Sequence, residues 1–161
     1  VARSAAFTLG DGRIVIDGHD VSSAIRTPDM DAAAAAVARL ASVRAALVAR
    51  QRAYGDAGGV VMEGRDIGTV VFPQADVKLY LDASPEERAR RRSQDTAHAA
   101  SREQAGVARV AEALAARDQS DRTRAVSPLT LATDAVYLDT TGLSIDDVVA
   151  RALSAVAAAR K

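Results

Sequence analysis

The chain has 161 residues, enough for one globular domain with a sizeable core. Its 21 basic and 21 acidic side chains balance, which argues against a generic nucleic-acid or membrane-surface binder. There is no cysteine and there are only two histidines, far apart in the sequence, which argues against disulfides, thiolate metal sites and multi-histidine metal sites. No apolar run approaches the roughly 20 residues that span a bilayer. We expect a cytoplasmic protein whose chemistry depends on arginine, aspartate, serine and backbone groups.

The N-terminal part predicts a hairpin followed by helix. Residues 7–18 alternate around Asp11-Gly12, a pair that favours a tight turn between antiparallel strands. Thr27 precedes a long helical pattern and is predicted as its N-cap. The helix has a predicted break near Ser42, which could cap a second segment.

The remaining sequence alternates short apolar strands with helices. Strands are predicted at 60–63, 77–82 and 135–140, and helices after Ser84, at 101–118 and at 145–161. Ser84 with Glu87 is predicted as a capping box, and Ser144 with Asp147 caps the last helix. This order predicts an α/β fold in which a parallel sheet is covered by helices, with the hairpin as a small insert.

An arginine cluster occupies 88-RARRR-92 at the start of one predicted helix. Arg88 lies on the same side as Arg91 and Arg92, at spacings of three and four residues. Like charges this close repel unless an anion lies between them. The alternative is a solvated face, on which Glu86 and Glu87 pair with arginines four residues later.

A second cluster follows at 117-RDQSDRTR-124. The spacing of Arg117, Asp121 and Arg124 puts the three side chains on one face of a continuing helix. A guanidinium group suits bidentate contacts with phosphate, and the acid could orient an arginine or accept a sugar hydroxyl. The alternative is an ordinary helix end with ion pairs.

The third cluster is Gly64-Arg65-Asp66, directly after a predicted strand. Ligands of open parallel sheets bind outside the carboxyl ends of the strands, so the two charged side chains could meet an anion and a hydrogen-bond donor. The alternative is a polar turn that closes the strand. Together the three clusters suggest a site that neutralises several phosphates.

Three runs carry a resemblance to a known family: GRDIGTVVFPQADVKLYLDASPEERARRR, RDQSDRTRAVSPL and AVYLDTTGLSIDDVV. They closely resemble bacterial cytidylate kinases, which are nucleoside-monophosphate kinases, and the similarity extends from about residue 7 to the last helix. The resemblance implies a single domain (1–161) with the three-layer parallel sheet of P-loop kinases. It also implies a β-rich monophosphate-binding insert at 5–30, a core at 58–161 and a lid at about 88–116.

The implied activity is phosphorylation of CMP and dCMP by ATP with Mg²⁺. The resemblance further implies a monomer that binds neither nucleic acid nor membrane. The candidate residues for the ATP phosphates and the transferred group are Arg88, Arg91, Arg92 and Arg117.

The implied monophosphate site takes its residues from all parts of the resemblance. Arg65 matches a residue that faces the CMP phosphate, and Asp66 one that faces the cytosine amino group. Arg44, in 43-VRAAL-47, matches a base-reading arginine. Arg117 also matches a phosphate contact, Asp121 a sugar contact, and Arg124 a residue facing the pyrimidine.

Two departures from the family pattern limit these implications. No GxxxxGK[ST] phosphate-binding loop occurs in the sequence, and the family places that loop upstream of residue 1. We expect that an N-terminal segment is missing; the alternative is a fragment that binds a nucleoside monophosphate without catalysis. Ala35 replaces a base-recognising serine, which removes a hydrogen bond of about 1 kcal/mol. An RNA binder using 88–92 is disfavoured by the neutral charge and the scarcity of aromatic residues.

Overall fold

A computed structural model describes residues 4–56, 58–94 and 107–159. The chain begins with an antiparallel sheet of three strands: β1 (Phe7–Gly10), β2 (Arg13–Ile16) and β3 (His19–Asp20). The turn between β1 and β2 has positive φ at both Asp11 (51°) and Gly12 (72°). Asp-Gly tolerates this backbone well, and the predicted hairpin is confirmed.

Two helices follow at a sharp angle. Helix α1 (Pro28–Val37) begins after Thr27, whose Oγ1 accepts a hydrogen bond from Met30 N–H at 3.3 Å, so this cap is confirmed. Helix α2 (Ala41–Gly55) is bent by 98° from α1. The predicted cap at Ser42 is wrong: the last turn of α1 closes at Leu40, which then takes the N-cap position of α2.

Within the described residues, no single helix is long and apolar enough to cross a bilayer; α1 and α2 have the necessary length and composition only as a pair, across their 98° bend.

The predicted strand at 60–63 is absent. These residues are irregular, and the side chain of Val61 is completely exposed. Within the described ranges no neighbouring strand pairs with them, so their backbone groups lack the ladder that would make the segment a strand. A single turn of π-helix (Ile67–Val71) comes next, and Asp66 is its N-cap residue.

A parallel pair of strands forms the second sheet. Strand β4 (Leu79–Asp82) pairs with β5 (Val136–Asp139), with Leu79 opposite Val136. Both strands were predicted, as was their parallel direction. A larger parallel sheet was expected from the sequence. Within the described residues, β4 and β5 are the strands that pair in this sheet.

The second half of the chain also contains helices α3 (Pro85–Gln94), α4 (Val107–Thr123) and α5 (Ile145–Ala159). Helix α3 packs against α4. Helix α4 continues beyond the predicted end at 118, so it also carries Asp121. Of the predicted helical residues, 101–106 and 160–161 lie outside the described ranges.

The predicted caps of α3 and α5 differ in outcome. Ser144 and Asp147 exchange hydrogen bonds as predicted. Ser84 Oγ accepts from Glu87 N–H at 3.2 Å, but the second half of that capping box is wrong. The Ser84 N–H donates instead to Thr141, because the Glu87 carboxylate is occupied by two arginines of α3.

Most side chains in the described ranges keep some solvent contact. The buried apolar residues are Ala5, Ala46, Val71 and Ala89; the buried polar residues are Asp118, Asp121 and Thr140. Buried carboxylates require partners, because burial disfavours an unpaired charge. The two aspartates on α4 therefore identify the region where charged groups meet.

Candidate functional site

Seven side chains form one line of alternating charge, which we call the ion-pair chain. In spatial order its members are Arg44, Asp66, Arg124, Asp121, Arg65, Asp118 and Arg88. They come from α2, the turn before the π-helix, α3, and the end of α4. The structure thus brings together residues from all three clusters that the sequence singled out.

One end of the ion-pair chain centres on Asp66. Its Oδ2 accepts from Arg44 Nη2, and both side chains are only 11% exposed. Its other oxygen, Oδ1, lies 3.8 Å from Nη2 of Arg124, whose side chain is 5% exposed. Asp66 is therefore a nearly buried carboxylate between two guanidinium groups.

The backbone around Asp66 is fixed by two features. Arg52 of α2 donates to the carbonyl oxygens of Val70 and Val71 at 2.7 and 2.9 Å, which ties the π-helix to α2. A Cβ atom on Gly64 would lie 2.9 Å from Ile67 Cγ1, so a larger residue there would have to displace the Ile67 side chain.

Arg124 lies just beyond the end of α4. Its Nη1 is 3.2 Å from Asp121 Oδ1, and its Nε donates to the Ser127 carbonyl. Burial, followed by the neighbouring Arg44 charge, lowers the pKa of Arg124 below its usual value. The protein thus holds this guanidinium in place with only partial charge compensation.

Arg65 lies between the two aspartates of α4. Its Nη1 is 2.8 Å from Asp118 Oδ1, and its Nε is 3.4 Å from Asp121 Oδ2. The second oxygen of Asp118 lies 2.5 Å from Arg88 Nη1. Burial alone would raise the pKa of Asp118, but hydrogen bonds from Arg88 and Arg65 outweigh it and keep the pKa low.

Asp118 was not among the site residues predicted from the sequence. The available signal was its position three residues before Asp121, which puts both carboxylates on one face of α4. Arg117 was expected on that face, but its side chain is 42% exposed and its Nη1 lies 3.9 Å from Asp31 on α1. Asp121 and Arg124 do come together as predicted.

Three buried side-chain atoms within the described ranges lack a hydrogen-bond partner. They are Arg44 Nε, Asp121 Oδ2 and Arg124 Nη2, all in the ion-pair chain. Buried polar atoms are rarely left without hydrogen bonds in folded proteins, because the loss costs free energy. A polar ligand with donors and acceptors could complete these bonds.

The arginines of α3 border a separate open cleft. Arg88, Arg91 and Arg92 line a cavity of about 430 Å³ together with Leu114 of α4. The predicted common side of these three arginines is therefore confirmed. Three guanidinium groups thus border one cleft.

The arginines of α3 have different protein partners. Arg91 donates to Glu87 and, through both Nη atoms, to the side chain and carbonyl of Thr140. Arg92 Nη2 lies 2.6 Å from Asp31. The predicted pairing of Glu87 with Arg91 is confirmed, whereas that of Glu86 with Arg90 is wrong, because Arg90 also pairs with Glu87.

The described residues contain no group of three histidine or acidic side chains arranged to hold a metal ion. Ala35, where the resemblance implies a serine, is a half-buried residue of α1.

Comparisons with known proteins agree with the resemblance seen in the sequence. The family model described as cytidylate kinase matches residues 1–158. The chain is 49% identical over 148 residues to a cytidylate kinase of Solibacter usitatus, covering 92% of this chain and 64% of the relative. It is 51% identical over 142 residues to a cytidylate kinase of Enterococcus faecalis, covering 86% and 60% respectively.

A cytidylate kinase can also be part of a larger protein. The bifunctional pantoate ligase/cytidylate kinase of Synechococcus sp. is 50% identical over 138 residues, which cover 86% of this chain and 27% of that protein. The chain spans less than two thirds of the length of the Solibacter and Enterococcus relatives. Since the family model matches nearly every residue, the chain belongs to the cytidylate kinase family.

Proposed function

We propose that this protein transfers the γ-phosphoryl group of MgATP to CMP or dCMP, forming ADP and the nucleoside diphosphate. The observation that carries the proposal is the ion-pair chain, with its three buried atoms that lack hydrogen bonds. Its four guanidinium groups exceed its three carboxylates by one positive charge, which favours an anionic ligand. Family membership and the names of the relatives support the same reaction.

The base would bind at the Asp66 end of the ion-pair chain. The carboxylate of Asp66 accepts from the cytosine amino group, and Arg44 and Arg124 donate to the ring nitrogen and carbonyl oxygen. Uracil carries a carbonyl group where cytosine carries the amino group. Asp66 would repel that oxygen, so we expect UMP to be a poorer acceptor than CMP.

The sugar and phosphate would bind toward the other end. Asp121 accepts from a ribose hydroxyl, and Arg65 contacts the acceptor phosphate. Arg117, which lies outside the ion-pair chain and is largely exposed, would reach the phosphate only after leaving Asp31. A deoxyribose retains the 3′-hydroxyl, which is compatible with dCMP as a second acceptor.

The phosphates of ATP would bind in the cleft lined by α3. Arg88 and Arg92 direct guanidinium groups there, and MgATP enters as a substrate complex that brings its own metal ion. Arg91 is also proposed as a phosphate contact. We expect it to contribute least, because three of its N–H groups already hold Glu87 and Thr140.

The chemical step needs positioning and charge neutralisation more than acid–base help. An oxygen of the CMP phosphate, a dianion near pH 7, attacks the γ-phosphorus of ATP. The new P–O bond forms as the bond from the γ-phosphorus to the β,γ-bridging oxygen breaks, and ADP leaves with those electrons. Arginines on both sides stabilise the charge on the equatorial oxygens.

The proposal also covers the oligomeric state, the location and the domain organisation of the protein. The protein would be a monomeric cytoplasmic enzyme with a three-layer parallel sheet, an insert at 5–30, a core at 58–161 and a lid at about 88–116. Residues 95–106 of that lid lie outside the described ranges. Closure of the lid would exclude water, which otherwise competes with CMP for the phosphoryl group.

The test is the turnover of CMP, dCMP and UMP by purified full-length protein with MgATP. We expect CMP and dCMP to be better substrates than UMP. Arg124→Ala should reduce the preference for CMP over UMP, whereas Arg122→Ala, at an exposed position in the last turn of α4, should not. Absence of CMP-dependent ADP formation would refute the proposed reaction. Equal loss of CMP and UMP turnover in Arg124→Ala would refute the role of Arg124.

A second candidate function is monophosphate binding without transfer. It is motivated by the ion-pair chain in a 161-residue sequence that lacks the GxxxxGK[ST] motif. Saturable CMP binding without turnover by the 161-residue chain, beside turnover by a longer form, would assign catalysis to residues outside this sequence. Turnover by the 161-residue chain itself would exclude this candidate.

A further inference from the structure

Asp118 makes the contact that connects the two halves of the proposed site. One of its oxygens holds Arg65 Nη1 at 2.8 Å, and the other holds Arg88 Nη1 at 2.5 Å. The residue is only 7% exposed. A single carboxylate therefore fixes two guanidinium groups that come from different elements, the turn before the π-helix and helix α3.

We propose that Asp118 is a positioning residue that holds Arg65 and Arg88 at a fixed separation and so aligns the acceptor phosphate with the donor phosphates. This inference rests on the proposed function, in which Arg65 contacts CMP and Arg88 lies at the ATP cleft. It goes further because it assigns the alignment to a residue that itself contacts neither nucleotide.

The rigidity of Asp118 comes from its surroundings. It lies within α4 rather than in a loop, and α4 packs against α3, which carries Arg88. Arg65 is also held from the second aspartate of α4, with its Nε 3.4 Å from Asp121. Arg65 is thus oriented by two carboxylates of α4, and one of them, Asp118, also holds Arg88. In-line phosphoryl transfer is sensitive to misplacement of this kind.

Simple charge counting predicts the opposite of a positioning role. Replacing Asp118 by asparagine adds one net positive charge beside the phosphates, which by itself would strengthen anion binding. If Asp118 positions the arginines, phosphate binding should weaken despite that added charge. The direction of the change therefore separates the two explanations.

The experiment is calorimetric titration of full-length protein with CMP and with cytidine, which lacks the phosphate. In Asp118→Asn we expect CMP affinity to fall about tenfold, the loss typical of a charge-assisted hydrogen bond, with cytidine affinity unchanged. The turnover number should fall as well. The matched control is Asp134→Asn, which removes an exposed carboxylate paired with Lys78, and its affinities for both ligands should equal those of the wild type.

Each other outcome has a definite meaning. Equal loss of CMP and cytidine affinity would indicate a merely structural role, and unchanged or tighter CMP binding would also overturn the inference. If Asp118→Asn does not fold, Asp118→Glu keeps the charge but moves the carboxylate by one methylene group, and the same CMP-specific loss is expected. A wild-type protein that binds neither ligand would refute the proposed function, and this inference with it.

Discussion

The arginines of the proposed site form two groups with different environments. Arg44 and Arg124 are nearly buried, at 11% and 5% exposure; Arg44 pairs with Asp66, and Arg124 lies between Asp66 and Asp121. Arg88 and Arg92 of α3 are about 30% exposed and border an open cleft. In the first group, burial and ion pairs to aspartates hold the guanidinium groups in place. In the second group Arg92 pairs with the partly exposed Asp31, whereas Arg88 is held by the nearly buried Asp118.

This difference separates two tasks. Recognition of a base requires donors and acceptors at fixed positions, which burial and ion pairs provide. Clamping a phosphate chain requires cations that can move with a lid and enter a desolvated site when it closes. Substitutions in the first group should therefore affect stability and specificity, and those in the second should affect turnover.

The largest effect is expected in the buried group. Asp66→Ala leaves Arg44 and Arg124 without their shared carboxylate, which should lower the free energy of unfolding by about 3 kcal/mol. Urea unfolding monitored by circular dichroism measures this change. Glu112→Ala is the control, since this side chain is exposed on α4 and lies outside the ion-pair chain, so the unfolding midpoint should stay unchanged. A similar result for both variants would mean that the buried group is no more tightly held than the surface.

The second largest effect is expected on the turnover number. Arg92→Ala should reduce the turnover number on the order of 100-fold while leaving the unfolding midpoint nearly unchanged, because a phosphate contact is lost from a partly exposed position. Arg90→Ala is the control on the same helix: its side chain is 54% exposed and pairs with Glu87 outside the cleft. Steady-state kinetics with MgATP and CMP distinguishes the two. Unchanged turnover in Arg92→Ala would remove Arg92 from the clamp.

The smallest effect is expected on the pH dependence of stability, through the ion pairs of α3. The hydrogen bond from Arg90, with a second from Arg91, lowers the pKa of Glu87 to about 2 from an ordinary 4.5. The contribution of this carboxylate to stability is therefore present above about pH 4.5 and is lost as the pH falls through about 2. Glu87→Gln should unfold at a lower temperature than the wild type at pH 7. This difference in unfolding temperature should disappear near pH 2.

Glu86→Gln is the control for that titration, because Glu87 rather than Glu86 holds the α3 arginines. Thermal unfolding followed at several pH values should show a much smaller gap for this variant. A gap in Glu87→Gln that stays constant down to pH 2 would show that the ion pairs of α3 do not contribute through charge.

Local interactions account for what the sequence predicted correctly. The Asp11-Gly12 turn, the Thr27 cap and the Ser144–Asp147 cap each involve residues a few positions apart, so their geometry follows from backbone preferences and short-range hydrogen bonds. Strands β4 and β5 follow from short apolar runs. Arg65, Asp66 and Arg124 were recognised as site candidates because charged residues stood beside these elements in a familiar order.

Tertiary structure decided the remaining features. Whether Arg117 or Asp118 faces Arg65 depends on the rotation of α4 against α3, which the spacing along one helix cannot specify. Residues 60–63 have the composition of a strand but no neighbouring strand within the described ranges, and a strand exists only through hydrogen bonds to a partner. The sequence by itself determined the local elements and the charged residues available to the site. The packing of helices and strands decided which of those charged residues pair, because pairing and burial depend on residues that are distant in the chain.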